Sequence, residues 1–424
     1  MTVRVRNWVW TASAMCALCL VAPAQGASDH RSGDGTSADN ERLLPGQYPA
    51  SPVALDAPSE DEQPFFDLDW SLGLRGTYTK GSNGERFDVR LVPHVELDHQ
   101  GRRASINITG DADLVRADQD NPELTGLRLG LRGAYALDSL TAVTTNANVE
   151  LNQPLAGALG AAPGIAREPQ QLSGGLELGV RREFGRFNVA LTGGAERHSY
   201  GPSTRLDGST QDNRERDYWA LDSALRVGFQ ATPIFEVFGQ AGLGRDVFDH
   251  PSSVLLVTPD ATDLSLRSGV TGRWNTTLEA TASTGIALRK FDAAGLEEVV
   301  SQLYDASVTF TPDADWRLRA GLGTTLSPAG PDARGTTQLR YAATAEVNYL
   351  VNSWLALRAD ADWYRTVQIG SAETGSGYGW GMGADYRLNA HTALNADYGY
   401  DRAETSTSGV EDAHRVSVGV TLSR

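Results

Sequence analysis

Arg75, Arg90, Arg128, Arg132, Arg226, Arg267, Arg273, Arg340 and Arg358 share a property of spacing with Glu177, Asp222, Glu279, Glu346, Asp360 and Asp362. Each stands in a stretch where apolar residues take every second place, and each falls on the polar alternate. A guanidinium is a planar fork of donors that pairs with a carboxylate through two parallel hydrogen bonds, and the same fork attracts an anionic solute. Charges of both signs on one polar face therefore admit two readings. They brace one another across neighbouring segments, or they line a wet passage with fixed charge. Asp67 with Asp69, Asp111 with Asp113, and Asp360 with Asp362 lie two residues apart, so each pair sits on one face and has the composition to hold a cation.

Residues suited to catalysis are sparse. His94 and His198 fall on the polar alternate, but no HxH or HExxH spacing offers metal ligands. No local arrangement marks a serine or water nucleophile with a positioned histidine base. No GxGxxG or GxxxxGK[ST] loop is present to cradle a phosphate. Both cysteines, Cys16 and Cys19, lie in the first 24 residues, so the remaining chain has neither disulfide nor thiolate chemistry. The expectation is a protein that is not an enzyme and has no cofactor and no metal. A hydrolase carried on the same scaffold is an alternative.

The elements that must position the charges follow from the same alternation. In FDLDWSLGLRGTY, Phe66, Leu68, Trp70, Leu72 and Leu74 oppose Asp67, Asp69, Ser71, Gly73 and Arg75. FDVRLVPHVELD and ASINITGDADL repeat the pattern. A period of two over a dozen residues specifies a strand. Counted to the C-terminus, the pattern predicts eighteen strands, with sixteen as the alternative. Short turns (HQGR, ALDS, EFGR, ATPI, WNTT, TPDA, LVNS, LNAH) alternate with longer connections such as 152–171, 199–216, 246–261 and 401–411. Uniform strands, an even count and this rhythm of connections predict an all-β, transmembrane, antiparallel β-barrel. In hydrocarbon every backbone polar group must be paired, so such a sheet has to close on itself.

Aromatic residues agree with this placement. Trp70, Phe187, Phe229, Trp274, Trp316, Tyr349, Trp354 and Tyr386 take apolar positions near short turns. Tyr78, Phe87, Trp219, Trp363, Tyr378, Trp380 and Tyr400 take them near the long connections. Two belts correspond to the two interfaces of a bilayer. The stretch GSGYGWGMGADYRL (375–388) then places Tyr378, Trp380 and Met382 on the lipid face and Gly377, Gly379, Gly381 and Gly383 on the lumen face. Glycine there relieves crowding or bends the strand, or it opens a groove in which something approaches the backbone.

The rest of the chain fixes the compartment. Arg4 and Arg6, an apolar run from Trp8 to Val21 and the small-residue site Ala22-Pro23-Ala24 predict a signal peptide over 1–24. Residues 25–64 mix Ser, Gly, Pro and acids without periodicity and predict a flexible periplasmic lead-in, with the barrel over 65–424. A mean hydropathy of −0.32 excludes a bundle of membrane-spanning helices. A formal net charge of −16 argues against nucleic acid as a partner.

One external connection is unusual. NQPLAGALGAAPGIAREPQQ (152–171) carries Leu155, Leu159 and Ile165 where water-exposed loops are normally polar. It is predicted either to fold into the mouth and narrow the lumen, presenting Arg167 and Glu168 to solute, or to form an external cap.

The export signal, the acidic Pro-rich lead-in, the hairpin RLVPHVELDHQGRRASINITGDADL and the amphipathic hairpins that follow resemble the porin-2-like β-barrel family of Gram-negative envelopes. The resemblance spans roughly 66–424. It implies an outer-membrane channel, and some relatives of this general kind are associated with exopolysaccharide export. The implied partners are outer-membrane lipid, the barrel insertion machinery and a periplasmic polysaccharide-export protein. The chain departs from such barrels at its end, RVSVGVTLSR, where Arg424 takes the place of the usual aromatic. The function expected is passage or export of a polysaccharide or other hydrophilic, anionic solute. A general diffusion porin and a plugged structural or adhesion barrel are the alternatives.

Overall fold

A computed structural model of the chain describes residues 66–82, 84–117, 122–155, 164–329, 335–406 and 409–424. The signal peptide and lead-in expected over 1–64 lie outside the described residues. The strands are Asp67–Gly81 (β1), Gly84–Gln100 (β2), Ala104–Ala117 (β3), Glu123–Ala136 (β4), Thr141–Asn152 (β5), Ile165–Arg167 (β6), Gln171–Phe184 (β7), Phe187–Tyr200 (β8), Ser203–Arg205 (β9), Thr210–Gln211 (β10), Tyr218–Gln230 (β11), Phe235–Phe248 (β12), Ala261–Trp274 (β13), Leu278–Phe291 (β14), Val299–Phe310 (β15), Trp316–Pro328 (β16), Thr337–Asn352 (β17), Leu355–Ile369 (β18), Thr374–Asn389 (β19), Thr392–Thr405 (β20) and Gly409–Ser423 (β21). No described helix is long and apolar enough to cross a membrane.

All but β6, β9 and β10 belong to one 18-stranded sheet, in which each strand pairs antiparallel with its neighbours in the chain. The sheet closes because β1 pairs with β2 on one edge (Tyr78↔Phe87) and with β21 on the other (Tyr78↔Val416). Arg424 fastens the seam through its backbone, whose N–H donates to Trp70 O at 3.0 Å and whose O accepts from Trp70 N at 3.3 Å. This is the closed barrel expected from the alternation, with eighteen strands rather than sixteen.

Two faces result. Apolar side chains such as Leu129 (47% exposed), Leu191 (55%) and Val418 (63%) stand on the outside. The charged alternates stand on the inside. In lipid the outer set is buried in hydrocarbon, which is why the alternation persists over so many residues. The ends of the strands depart from expectation. The connection expected over 79–86 is a tight hairpin at Gly81↔Gly84, and 401–411 is mostly strand, with Thr405 paired to Gly409. Past the hydrocarbon the ladder continues in water, where nothing requires apolar alternates to mark it.

Among the described residues, the buried apolar core is small and lies inside the barrel near the long-connection end. Ala261, Phe291 and Val299 are fully buried there, with Leu296, Leu326 and Ile369 packed on them. The ladder is short beside it: β15 and β16 pair only from Asp305↔Gly323 to Phe310↔Leu318. At the same end β6, β9 and β10 form a separate three-stranded sheet (Thr204↔Thr210, Ile165↔Arg205) that ties connection 153–170 to connection 201–217.

Candidate functional site: the inner wall

The inner wall divides by how its charges are held. On β11 to β14 they form a chain of ion pairs. Arg226 donates to Glu236 Oε1 at 3.0 Å and Arg273 to Glu236 Oε2 at 3.2 Å, while Arg273 Nε donates to Glu279 at 3.1 Å. Glu236 is 2% exposed, and the Arg226 guanidinium lies 3.5 Å from the centroid of the Phe238 ring. Gly228 makes room for this arrangement, since a Cβ there would meet Asn188 Nδ2 and Glu236 Oε1, each at 2.6 Å.

Other arginines are tied in the same way. Arg90 donates to Asp113 at 3.1 Å, and Arg128 to Glu150 at 2.8 Å. Arg75 lies 3.7 Å from Asp397, and Arg358 pairs with both Asp385 and Asp397. His94 Nδ1 is 2.7 Å from Asp111. Nearer the mouth, Arg289 is 1% exposed and pairs with Asp246 and, at 3.1 Å, with Asp263. The sequence reading omitted Asp246 and Asp263. Asp263 shares the parity of Arg267 and Arg273 and was visible by that signal, whereas Asp246 lies one residue past the strand expected there.

The glycines of β19 form a floor under charges from both neighbouring strands. A Cβ on Gly379 would meet Asp401 Oδ1 at 2.8 Å and Asp362 Oδ1 at 2.9 Å. One on Gly381 would meet Asp360 at 3.0 Å, and one on Gly377 the Tyr364 hydroxyl at 2.6 Å. The alternating glycines let long polar side chains from β18 and β20 lie across β19. Relief of crowding explains the run, and the groups approaching the backbone are the barrel's own.

A second arc, on β7, β8 and β11, is different. Glu177, Glu196 and Asp222 lie diagonally across adjacent strands (Glu177↔Gly194, Gly194↔Asp222, Gly175↔Glu196). Among the described residues none of the three has an arginine or lysine within ion-pair distance. Glu196 has only His198, at 3.5 Å. Asp222 bends over Gly194, where a Cβ would meet it at 2.7 Å. Of the remaining expected residues, Arg340 lies over the Tyr364 ring at 4.4 Å, Arg267 is within electrostatic reach of Asp305, and Glu346 accepts from Asn348 at 2.6 Å. Arg132 stands exposed on the inner parity of β4.

Outside the membrane span the rim is also paired. Arg197 holds Asp249 and Arg245 holds Asp292, and these hydrogen bonds keep both carboxyls below their ordinary pKa. The connection carrying Leu155, Ile165, Arg167 and Glu168 corrects one expectation. Glu168 does not present itself to solute: it is 2% exposed, and its backbone carbonyl accepts from Gln153 Nε2 at 3.1 Å. Arg167 is exposed and lies 3.7 Å from Glu123. Ile165 pairs with Arg205 in the small sheet, Leu155 is half-buried, and Leu159 lies outside the described residues. The apolar connection and its polar neighbour satisfy each other's backbone through β6 and β9, so this segment is held against its neighbour. No group of three or more His, Cys, Asp or Glu among the described residues is placed to hold a metal ion.

The model of a family described as Putative beta-barrel porin 2 matches residues 76–424. No curated protein matches the chain. Among solved structures, the chain is similar to OpdK of Pseudomonas aeruginosa, determined with vanillate, at 12% identity and a TM-score of 0.43, covering 84% of this chain and 99% of that one. It is similar to OccK3 (OpdO) of the same organism at 14% identity and a TM-score of 0.40, covering 84% and 96%. It is likewise similar to that organism's OccK2 (OpdF), determined in complex with glucuronate, at 12% identity and 0.43, covering 84% and 98%.

Proposed function

This chain belongs to the putative beta-barrel porin 2 family, barrels of the Gram-negative outer membrane, and on that premise we propose that it is a passive channel for a saccharide polymer or a similarly hydroxyl-rich solute. The observation that carries this reading is the exposure of Asp222 and Asp362. Both face inward by parity, yet both are solvent-exposed. A carboxylate inside a closed barrel is exposed only if the space beside it holds water, and a barrel of this strand number encloses an aqueous lumen unless it is plugged.

The feature recognised is hydroxyl chemistry rather than net charge. An anionic cargo was expected from the arginines, but Arg75, Arg90, Arg128, Arg226, Arg273 and Arg358 are matched by carboxylates on the same wall. Paired ions still present hydrogen-bonding edges to a sugar, while their long-range fields largely cancel. Partnership with a periplasmic export protein and the direction of transport, outward, belong to the same proposal and rest on the family resemblance.

Liposome swelling tests it. Vesicles carrying the barrel should admit neutral maltodextrins, and admit acidic oligosaccharides of equal length more slowly. Equal rates at equal size would favour general diffusion. Exclusion of both by a folded barrel would favour a plugged structural barrel.

A further inference from the structure

The outer face of the barrel is not uniform. At the short-turn end its aromatics occur as separate pairs, such as Phe187 with Phe229 and Phe235 with Trp274. At the opposite rim they gather on β19, β20 and β21. Trp380 lies 5.3 Å from Tyr398 and 6.4 Å from Tyr400, Tyr378 lies 6.1 Å from Tyr400, and His414 lies 4.8 Å from Tyr400. The Tyr398 hydroxyl and His414 Nδ1 are 2.8 Å apart. Among the described residues no other part of the outer face carries such a group.

Two further features line up with it. Toward the membrane centre, Tyr398 and Met382 form one bank of an apolar groove of about 650 Å³, whose other bank is Trp316, Tyr349 and Leu357. Its floor is low because Ala359, Ala384 and Ala396 take neighbouring outward positions. Toward the external rim, Arg402 is the direct cross-strand partner of Tyr378, and Arg365 stands one strand away opposite Ser376. Both arginines are exposed, and neither forms an ion pair among the described residues. Two acids share this face: Asp412 is the cross-strand partner of Arg402 on β21, and Glu404 stands opposite Ser376. Asp412 accepts from Ser82 Oγ at 2.9 Å and lies 4.0 Å from His414, and Glu404 is exposed near the strand tip.

We infer that this arc of the outer wall is a binding site for one phosphorylated lipid of the outer leaflet. Arg402 and Arg365 take its anionic headgroup, the Trp380–Tyr398–Tyr400–His414 cluster packs its interfacial part, and the groove takes an acyl chain. The dimensions agree with a single leaflet. Arg402 and Ala396 are six residues apart on β20, about 20 Å along a strand. A strand tilt near 40° turns that into roughly 15 Å of depth. The hydrocarbon core is about 30 Å thick, so the Ala396 end of the groove lies at the depth where an outer-leaflet chain ends, while its Trp316 and Tyr349 bank reaches the short-turn belt. Arginine forks match phosphate oxygens, and indole and phenol rings suit the boundary where one end is apolar and the other wet.

Native mass spectrometry of the folded full-length barrel, titrated with lipid A in detergent, tests the site. The unaltered protein should retain lipid A. The double variant Arg365→Gln/Arg402→Gln should lose about tenfold in affinity, as expected for removing charge-assisted hydrogen bonds. Ala396→Trp, which fills the groove, should also weaken retention, whereas Lys290→Gln, on the same rim but another arc, should leave it unchanged. The heat-modifiable band on gels should persist in every variant. No retention by the unaltered barrel, or equal retention by the arginine double variant, would overturn the inference. So would dimers that Ala396→Trp disperses while lipid A binding stays intact.

Discussion

The β11–β14 arc and the β7–β11 arc of the inner wall meet on the same strand and obey the same alternation, yet they treat carboxylates in opposite ways. Glu236 is buried between two arginines. Glu177, Glu196 and Asp222 have no guanidinium within ion-pair distance; Asp222 is exposed, and the two glutamates are half-buried. A buried carboxylate is tolerable only when paired and hydrogen-bonded, whereas one that keeps its water needs no partner. The contrast teaches that inward parity does not define a role. One arc fixes the wall, and the other sets the field that a solute meets.

The largest predicted difference lies between the two arcs. Glu236→Gln leaves Arg226 and Arg273 without their shared counter-ion and should cost about 3–5 kcal/mol. Asp222→Asn, at the exposed carboxylate of the other arc, should change stability by less than about 0.5 kcal/mol. Urea-unfolding midpoints of the refolded barrels measure both, and equal losses would abolish the distinction. A somewhat smaller effect separates inner wall from outer. Val227, beside Arg226 but facing lipid, should cost about 2–4 kcal/mol when changed to Arg. Thr144→Arg, on the inner parity of β5, should be mild by the same assay, and the reverse order would mean that the two faces have been exchanged. Smaller again is crowding of the glycine floor. Gly379→Val would press on Asp362 and Asp401 and should cost about 1–3 kcal/mol, while Gly239→Val, with no atom near its missing Cβ, should be close to neutral.

The barrel was legible because hydrocarbon imposes the alternation, and it was legible only to that depth. Strand ends at Gly81, Gly84, Thr405 and Gly409 stand in water, where apolar alternates are not required, so the hairpins there were read as loops. Parity reveals which face a charge occupies but not which charge it meets. Arg226 with Glu236 was in reach, since a short turn fixes that register. Arg289 with Asp246 was not, because the pair reaches across β13. The connection holding Ile165 and Glu168 was recognised as apolar. Its partner, the 201–217 connection, is polar apart from Pro202 and Leu206 and gave no sign that the two would pair.

Single-channel recording in a salt gradient tests the central claim most directly, namely that a water-filled lumen is governed by the carboxylates of one arc that lack an arginine partner. The unaltered barrel should conduct, with a reversal potential on the cation-selective side. The triple variant Glu177→Gln/Glu196→Gln/Asp222→Gln should keep its unfolding midpoint and shift that potential toward anions. Absence of conductance in a folded barrel, or a reversal potential unmoved by the triple change, would contradict the account.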